Sequence, residues 1–464
     1  MESNRERSPQ RRRVVIVGGG MAGTRLAQQL VAAGGEGSLN VTVIGEEPHP
    51  AYNRVLLAEV LAGRYAPEVI ALPVPAAGAG VRRLSGVRVV RVDRPTAEVL
   101  CDDGRRVPYD ALVLATGSNP VLPPLRGLFG PDGRDDLHAL PDGVHAFRTM
   151  DDCLALGAAV RPGTRAVVIG GGLLGVSAAR ALAQRGAQVV LAHQGEHLME
   201  RQLDPGASRL LRRHMTALGV EVHTECRARG LRTDGRAARA VRAVELADGY
   251  ALAADLVVLA CGVRPRVGLA RAAGLEVARG IVVDDELRTS DPRVFAIGDC
   301  AEHDGVVYGL AGAAQEQADV LARLLSPRTG RVVGSRPAEG APPSGSWGRD
   351  GWAQPGHRAA PGSETSARYR GTRALTRLTL TSTSGPLDLA AFGNPTPAPG
   401  DDVIHLTDAT RDTYRKVVVR GDRLLGGILL GDLGTVGALA RAWEGDEPLP
   451  ATPLLHLLTN DGGS

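Results

Sequence analysis

Apolar residues in this chain fall into short β-branched runs, helix-period stretches and alternating segments, and their order predicts the architecture. Arg13-Val-Val-Ile-Val leads into a cluster of glycines, an alanine- and leucine-rich stretch with helical spacing, and a second apolar run at 40–44. About 150 residues later Arg165-Ala-Val-Val-Ile opens the same sequence of patterns. Each copy predicts a strand, a helix and a strand. Between the copies, 87–100 and 105–115 predict strands around a turn at Asp102-Asp103-Gly104, and 240–260 repeats this around Asp248-Gly249. Residues 281–325 predict a strand, the apolar run Val294-Phe-Ala-Ile and a helix. From 326 to 371 the chain is rich in Pro, Gly, Ser and Arg and predicts a flexible linker or insertion, with Trp347 and Trp352 inside it. Alternation returns at 378–380, 387–392, 403–406, 414–419 and 424–430, followed by a helix at 436–443, which predicts a small α+β domain.

Length and composition narrow the class. A chain of 464 residues holds about three domains, and 43% hydrophobic content supports real cores. Mean hydropathy is −0.06. No apolar run approaches the roughly 20 residues of a membrane helix. Residues 1–12 are polar, Arg-rich and expected to be disordered, and they lead straight into a strand with no secretory apolar core, so a cytoplasmic protein is expected. The net charge of +3 comes from interspersed charges, which argues against a nucleic-acid partner. Lys416 is the only lysine, so no lysine is available near a cofactor. Cys101, Cys153, Cys226, Cys261 and Cys300 are scattered, with no Cys-x-x-Cys. That spacing predicts no metal centre and no disulfide framework.

The glycines carry the chemistry. In the first copy Gly18 permits a tight strand-to-helix turn, Gly20 lets backbone approach a pyrophosphate, and Gly23 lets the helix pack against the strand. Met21 and Ala22 start the helix, whose amide N–H groups face the phosphates. Glu46 ends the next strand and is the expected ribose ligand, somewhat farther along than the roughly 20 residues usual. The second copy has Gly170, Gly172 and Gly175, with Leu173 and Leu174 at the helix start. Its following strand ends at His193 instead of an acid. Losing a carboxylate there removes an acceptor for the 2′-hydroxyl of NADH and a repulsion against the 2′-phosphate of NADPH, yet no arginine adjoins His193, so the choice of coenzyme stays open.

Two further strands end in Ala115-Thr116-Gly117 and in Gly298-Asp299. The order of these four motifs resembles that of the pyridine nucleotide–disulfide oxidoreductase superfamily. The resemblance implies an α/β fold with two Rossmann-like domains, the NAD(P) domain inserted in the FAD domain. It implies FAD binding over 13–149 and 280–325, NAD(P) binding over 150–279, the linker 326–371 and a C-terminal α+β interface domain over 372–455. By the same resemblance Asp299 contacts the FAD ribityl chain, Thr116 and Gly117 lie against FAD, and Gly262 belongs to the NAD(P) side. The helix beginning near 313–317, with Gln315, would point its N-terminus at the flavin.

The branch of the superfamily follows from what the flavin loop lacks. His49-Pro-Ala-Tyr-Asn-Arg-Val-Leu-Leu contains no cysteine, which removes the nucleophile of disulfide-reductase chemistry. Pro50-Ala-Tyr-Asn-Arg, Gln202-Leu-Asp, Gly262-Val-Arg-Pro, Arg288-Thr-Ser-Asp-Pro and Leu425-Gly-Gly-Ile-Leu-Leu-Gly-Asp resemble the flavin module of the assimilatory nitrite reductase large subunit and its electron-transfer relatives. This implies hydride transfer from NADH or NADPH to FAD and electrons onward to a separate iron–sulfur or ferredoxin-like acceptor, a nitrite or nitrate reductase component among them. The cysteine-rich modules of the full subunit have no counterpart here, so the flavin module acting alone is expected, as a monomer or a homodimer. Relatives carry a Glu where Ser177 stands, paired in some with a flavin-loop lysine; both charges are missing, which predicts a matched loss. Arg54 is the candidate for a replacement cation near the flavin, with an FAD-phosphate or surface contact as its alternative. Cys300 is expected to be a packed thiol and His303 a loop residue. Two rival readings are a ferredoxin or rubredoxin reductase outside nitrogen metabolism and a flavin-binding regulatory protein whose nicotinamide site has decayed.

Overall fold

Each glycine motif sits at the end of the central strand of its own parallel sheet. The computed structural model describes residues 11–34, 39–74, 80–129, 140–235, 239–326, 367–373, 375–382, 385–408, 410–431, 433, 436–449 and 458. Residues 1–10 of the expected N-terminal tail and the body of the 326–371 linker with both its tryptophans lie outside these residues, while Arg12, expected in the tail, already opens a strand.

In the first sheet the strands run in the order Val81–Ser85, Leu39–Gly45, Arg12–Val17, Ala111–Leu114 and Val294–Ala296, all parallel. Val14, Val15 and Ile16 are buried, as is every residue of Ala111–Leu114. Strand order reverses between Arg12–Val17 and Ala111–Leu114, which opens a ligand crevice at their carboxyl ends. Helix Met21–Gly34 covers one face and packs on helix Ala311–Leu325, tied by Arg25 to Asp319 at 2.7 Å.

The second sheet repeats the plan with Val220–His223, Gln188–Ala192, Arg165–Ile169, Leu256–Leu259 and Val144–Ala146. The likeness extends to ion pairs at the strand starts. Arg13 holds Asp110 at 2.7 Å, and Arg165 holds Asp255 at 2.5 Å. Each arginine lies at the start of a central strand, second in Arg12–Val17 and first in Arg165–Ile169, and each aspartate precedes the strand on the far side of the crevice. An antiparallel ribbon, Ser118–Pro120 with Val263–Pro265, joins the two units.

Three sequence expectations are corrected. The run 87–100 is a hairpin, Val89–Asp93 and Glu98–Cys101, because Pro95 and Ala97, at φ 55°, turn the chain between them. The second strand of 240–260 splits into Ala251–Ala253, paired with Val241–Leu246, and Leu256–Leu259, which enters the parallel sheet. Val144–Ala146, on the first-domain side of the expected 149/150 boundary, is a strand of the second sheet.

The C-terminal domain is a five-stranded antiparallel sheet in the order Thr376–Ser382, Gly385–Gly393, Arg423–Gly431, Thr413–Arg420 and Asp402–Asp408, with helix Val436–Gly445 against it. Its Leu380, Leu389, Tyr414 and Ile428 share a core with Leu211 and Met215 of helix Pro205–Ala217. Asp204, the N-cap of that helix, accepts from Tyr414 Oη at 2.6 Å and Lys416 Nζ at 2.9 Å. The only lysine therefore docks this domain.

Candidate functional site: two dinucleotide cradles

The three glycines of each motif divide into two kinds. A Cβ on Gly18 would lie 2.0 Å from the Ala115 carbonyl oxygen, and one on Gly23 would lie 2.0 Å from the Gly18 oxygen. In the second unit a Cβ on Gly170 would lie 2.3 Å from Ala260 O, and one on Gly175 would lie 1.8 Å from Gly170 O. Gly18 and Gly170 also hold nearly identical left-handed backbone, φ 121° and 118°. The middle glycines differ. Around Gly172 there is nothing within 4 Å, and around Gly20 only the Arg54 guanidinium reaches 4.0 Å. Open space over backbone amides at a helix start is the shape a pyrophosphate requires.

Arginines surround the first cradle. Arg83 lies 4.0 Å from the Cβ position of Gly19, and its buried Nη1 has no hydrogen-bond partner. Burial pulls this guanidinium below its ordinary pKa. A desolvated, unpaired cation beside a phosphate-shaped gap fits an anionic ligand, because it otherwise carries an uncompensated cost. Arg54 sits over Gly20, donates to Tyr52 Oη at 2.8 Å and to the Arg148 carbonyl at 3.0 Å, and pairs with Glu47. Burial opposes its charge, but Tyr52 and Glu47 together raise its pKa.

Glu46 is held by Arg266, with one contact at 2.9 Å, and by Arg88 at 3.3 Å. Burial opposes its ionisation, yet Arg266, Arg88 and Arg54 outweigh burial and hold the carboxyl below the usual range. Arg266 also accepts from Thr116 Oγ1 at 2.8 Å through its carbonyl and donates its N–H to Gly117 O at 2.9 Å. One residue of the second unit thus fixes three sites of the first.

Asp299 lies at the far end of the crevice, where it accepts from Arg148 at 2.6 Å and Ser118 Oγ at 2.9 Å. The preceding Gly298 donates to Gln317 Oε1 at 2.7 Å. Helix Ala311–Leu325 starts at Leu310, whose side chain supplies no cap, so its first amides are left for a ligand. Gln315 lies in the first turns of this helix and is partly exposed. Glu47, Arg83, Arg148, Arg266 and Gln317 escape sequence reasoning: an arginine's partner, unlike a glycine's backbone, is set by the tertiary fold.

In the second cradle His193 Nδ1 accepts from Gly171 N at 3.1 Å. Ser177 Oγ donates back to Leu173 O at 2.8 Å, within its own helix. A different charge pair links the units: Arg180, 1% exposed on the Ser177 helix, pairs with Glu59 of helix Leu57–Leu61, which follows the flavin loop. The cysteines are unsuited to nucleophilic work. All five are free, and burial pushes Cys153 and Cys261 up to about 11. Cys300 is buried, its Sγ 3.4 Å from Leu114 O. His303 is also buried, 3.1 Å from Asp285, and ends the strand Ala301–His303, so it is a strand residue and not a loop one.

Residues 12–318 match the family model described as pyridine nucleotide-disulphide oxidoreductase. The chain belongs to this family. Residues 385–444 match the rubredoxin NAD+ reductase C-terminal domain. The chain is 33% identical over 424 residues to the nitrite reductase [NAD(P)H] of Bacillus subtilis, covering 91% of this chain and 46% of that protein. It is 37% identical over 314 residues to the assimilatory nitrate reductase electron transfer subunit of the same organism, covering 67% and 39%. It therefore spans less than half the length of these curated relatives. Among solved structures, the covalent putidaredoxin reductase–putidaredoxin complex superposes with a TM-score of 0.75 at 25% identity, covering 96% of this chain and 98% of the other. As a family member the chain is an FAD- and pyridine-nucleotide-dependent oxidoreductase, and its flavin loop has no redox-active disulfide. No helix among the described residues is long and apolar enough to cross a membrane.

Proposed function

We propose that the chain takes electrons from NADH or NADPH and delivers them to a separate iron–sulfur protein of nitrite or nitrate assimilation in the cytoplasm. The observation that carries this reading is the pair of open cradles, one at each sheet's switch point, joined by the ribbon Ser118–Pro120 with Val263–Pro265. FAD binds the first unit, 13–149 with 280–325 but without the strand Val144–Ala146, and the pyridine nucleotide binds the second. The residues 372–455 form the interface domain. Bound FAD supplies the conversion of a two-electron donor into single electrons, which no side chain here performs.

The chain's own groups position and polarise. Gly20 admits the FAD pyrophosphate, Arg54 and Arg83 neutralise it, and Glu46 receives the adenosine ribose. Asp299, set by Arg148 and Ser118, orients the ribityl chain, and the uncapped start of helix Ala311–Leu325 stabilises negative charge on the flavin ring. Gly170, Gly172 and Gly175 admit the coenzyme pyrophosphate, and Gly262 leaves its far end open. Catalysis rests on alignment and needs no dedicated acid–base pair.

The match of the third domain to a rubredoxin reductase supports a second reading, a ferredoxin or rubredoxin reductase outside nitrogen metabolism. Steady-state assays with NADH and three acceptors separate the two: a small ferredoxin, rubredoxin, and the partner reductase of nitrite or nitrate assimilation. Transfer to the last alone supports the first reading. Transfer to ferredoxin or rubredoxin alone supports the second.

A further inference from the structure

The strand Gln188–Ala192 ends at His193, and the structure shows how its ring is used. Nδ1 accepts a hydrogen bond from Gly171 N, so in the neutral ring the proton sits on Nε2. Nε2 is buried and has no hydrogen-bond partner. Facing it at 4.0 Å is the carboxylate of Glu200. Glu200 comes from the loop beyond the strand, at a position that strand-end spacing does not mark. That loop is tied to the cradle, because Met199 N donates to Gly171 O at 2.9 Å. The Glu200 side chain accepts from Glu196 N at 2.7 Å and folds so closely over Gly195 that a Cβ there would lie 2.4 Å from its oxygen.

We infer that Glu200 is the specificity-determining residue for the coenzyme: together with His193 it receives the adenosine ribose of NADH and excludes the 2′-phosphate of NADPH. This rests on the reading of the second cradle as the pyridine-nucleotide site. A ribose hydroxyl about 2.8 Å from both groups spans a gap of this width, accepting from Nε2–H and donating to the carboxylate. Its hydrogen bond to an ionised acid is of the stronger, charge-assisted kind. The Glu200 side chain is 43% exposed, so it has the freedom to open the gap for that hydroxyl. A phosphate dianion at the same place would meet the carboxylate as a like charge. The acid that sequence spacing places at His193 is thus supplied seven residues downstream, from Glu200, and the missing strand-end carboxylate does not make this an NADPH site.

Calorimetric titration of NAD+ and NADP+ into the full-length, FAD-loaded protein reads binding without turnover. The wild type is expected to bind NAD+ at least tenfold more tightly than NADP+. Glu200→Gln should weaken NAD+ about tenfold and tighten NADP+, bringing the ratio near one, while His193→Gln should weaken NAD+ alone. A wild type that prefers NADP+, or a preference that Glu200→Gln leaves intact, overturns the inference while leaving the cradle's assignment standing. Binding of neither nucleotide overturns both.

Discussion

A single methyl group separates the two kinds of glycine in each cradle. Gly172→Ala adds its Cβ to open space and should leave the fold and bound FAD intact while weakening the coenzyme at least tenfold, measured as the apparent Kd in anaerobic reduction. Gly175→Ala places the same atom 1.8 Å from a carbonyl oxygen and should lower Tm by many degrees or abolish soluble expression. Equal thermal stability of the two variants would contradict this division. Arg83 has the opposite logic. Replacing a half-buried guanidinium whose Nη1 is buried without a partner by Met should leave the apoprotein as stable or more so, yet weaken FAD by about tenfold or more. Fluorescence titration of FAD into apo Arg83→Met checks both signs alongside a melting curve. The glycines are legible in sequence because their backbone geometry admits no other residue. Arg83, Arg148 and Arg266 are not, since a chain with 54 Lys and Arg offers no local mark of which cations a sheet will turn inward.

At the scale of elements, the two units are locked by the Glu59–Arg180 pair between helices Leu57–Leu61 and Leu173–Gln184. Glu59→Gln leaves a buried guanidinium without its countercharge and should cost about 3–5 kcal/mol, whereas the double change Glu59→Leu with Arg180→Leu should recover most of it. Denaturant unfolding of the three proteins measures this; a double variant no better than the single one would show that the charges act independently. The elements most legible in sequence were those whose pattern is decided locally. The strands Arg12–Val17 and Arg165–Ile169 are unbroken apolar runs closed by glycine, and the five C-terminal strands alternate. The run 87–100 has the apolar pattern of one strand, and that pattern alone does not register the turn that Pro95 imposes. Val144–Ala146 is three residues long, and only its pairing with Leu256–Leu259 reveals which sheet it serves.

At the scale of the molecule, acid should loosen the fold in two stages. Burial holds His145, His193 and His214 below the ordinary histidine value. Their unfolded forms therefore bind protons first as pH falls below about 6.5, and the stability they contribute is fully present above that pH and lost beneath it. Asp110 and Asp255 are held low chiefly by hydrogen bonds from Arg13 and Arg165, and Glu46 by Arg266 against burial, so their contribution is lost later, below about pH 4. Tm of the FAD-bound protein should be flat from pH 8 to 7 and fall from about pH 6.5 downward; a Tm that rises on acidification to pH 5.5 would contradict the histidine assignment. In a working flavoprotein both cradles are filled. Anaerobic stopped-flow mixing of the purified yellow protein with NADH, and separately with NADPH, tests it most directly. Rapid loss of the flavin absorbance, faster and at lower concentration with NADH, is the predicted result. Full retention of that absorbance with both coenzymes, in protein that still holds its FAD, would contradict the account.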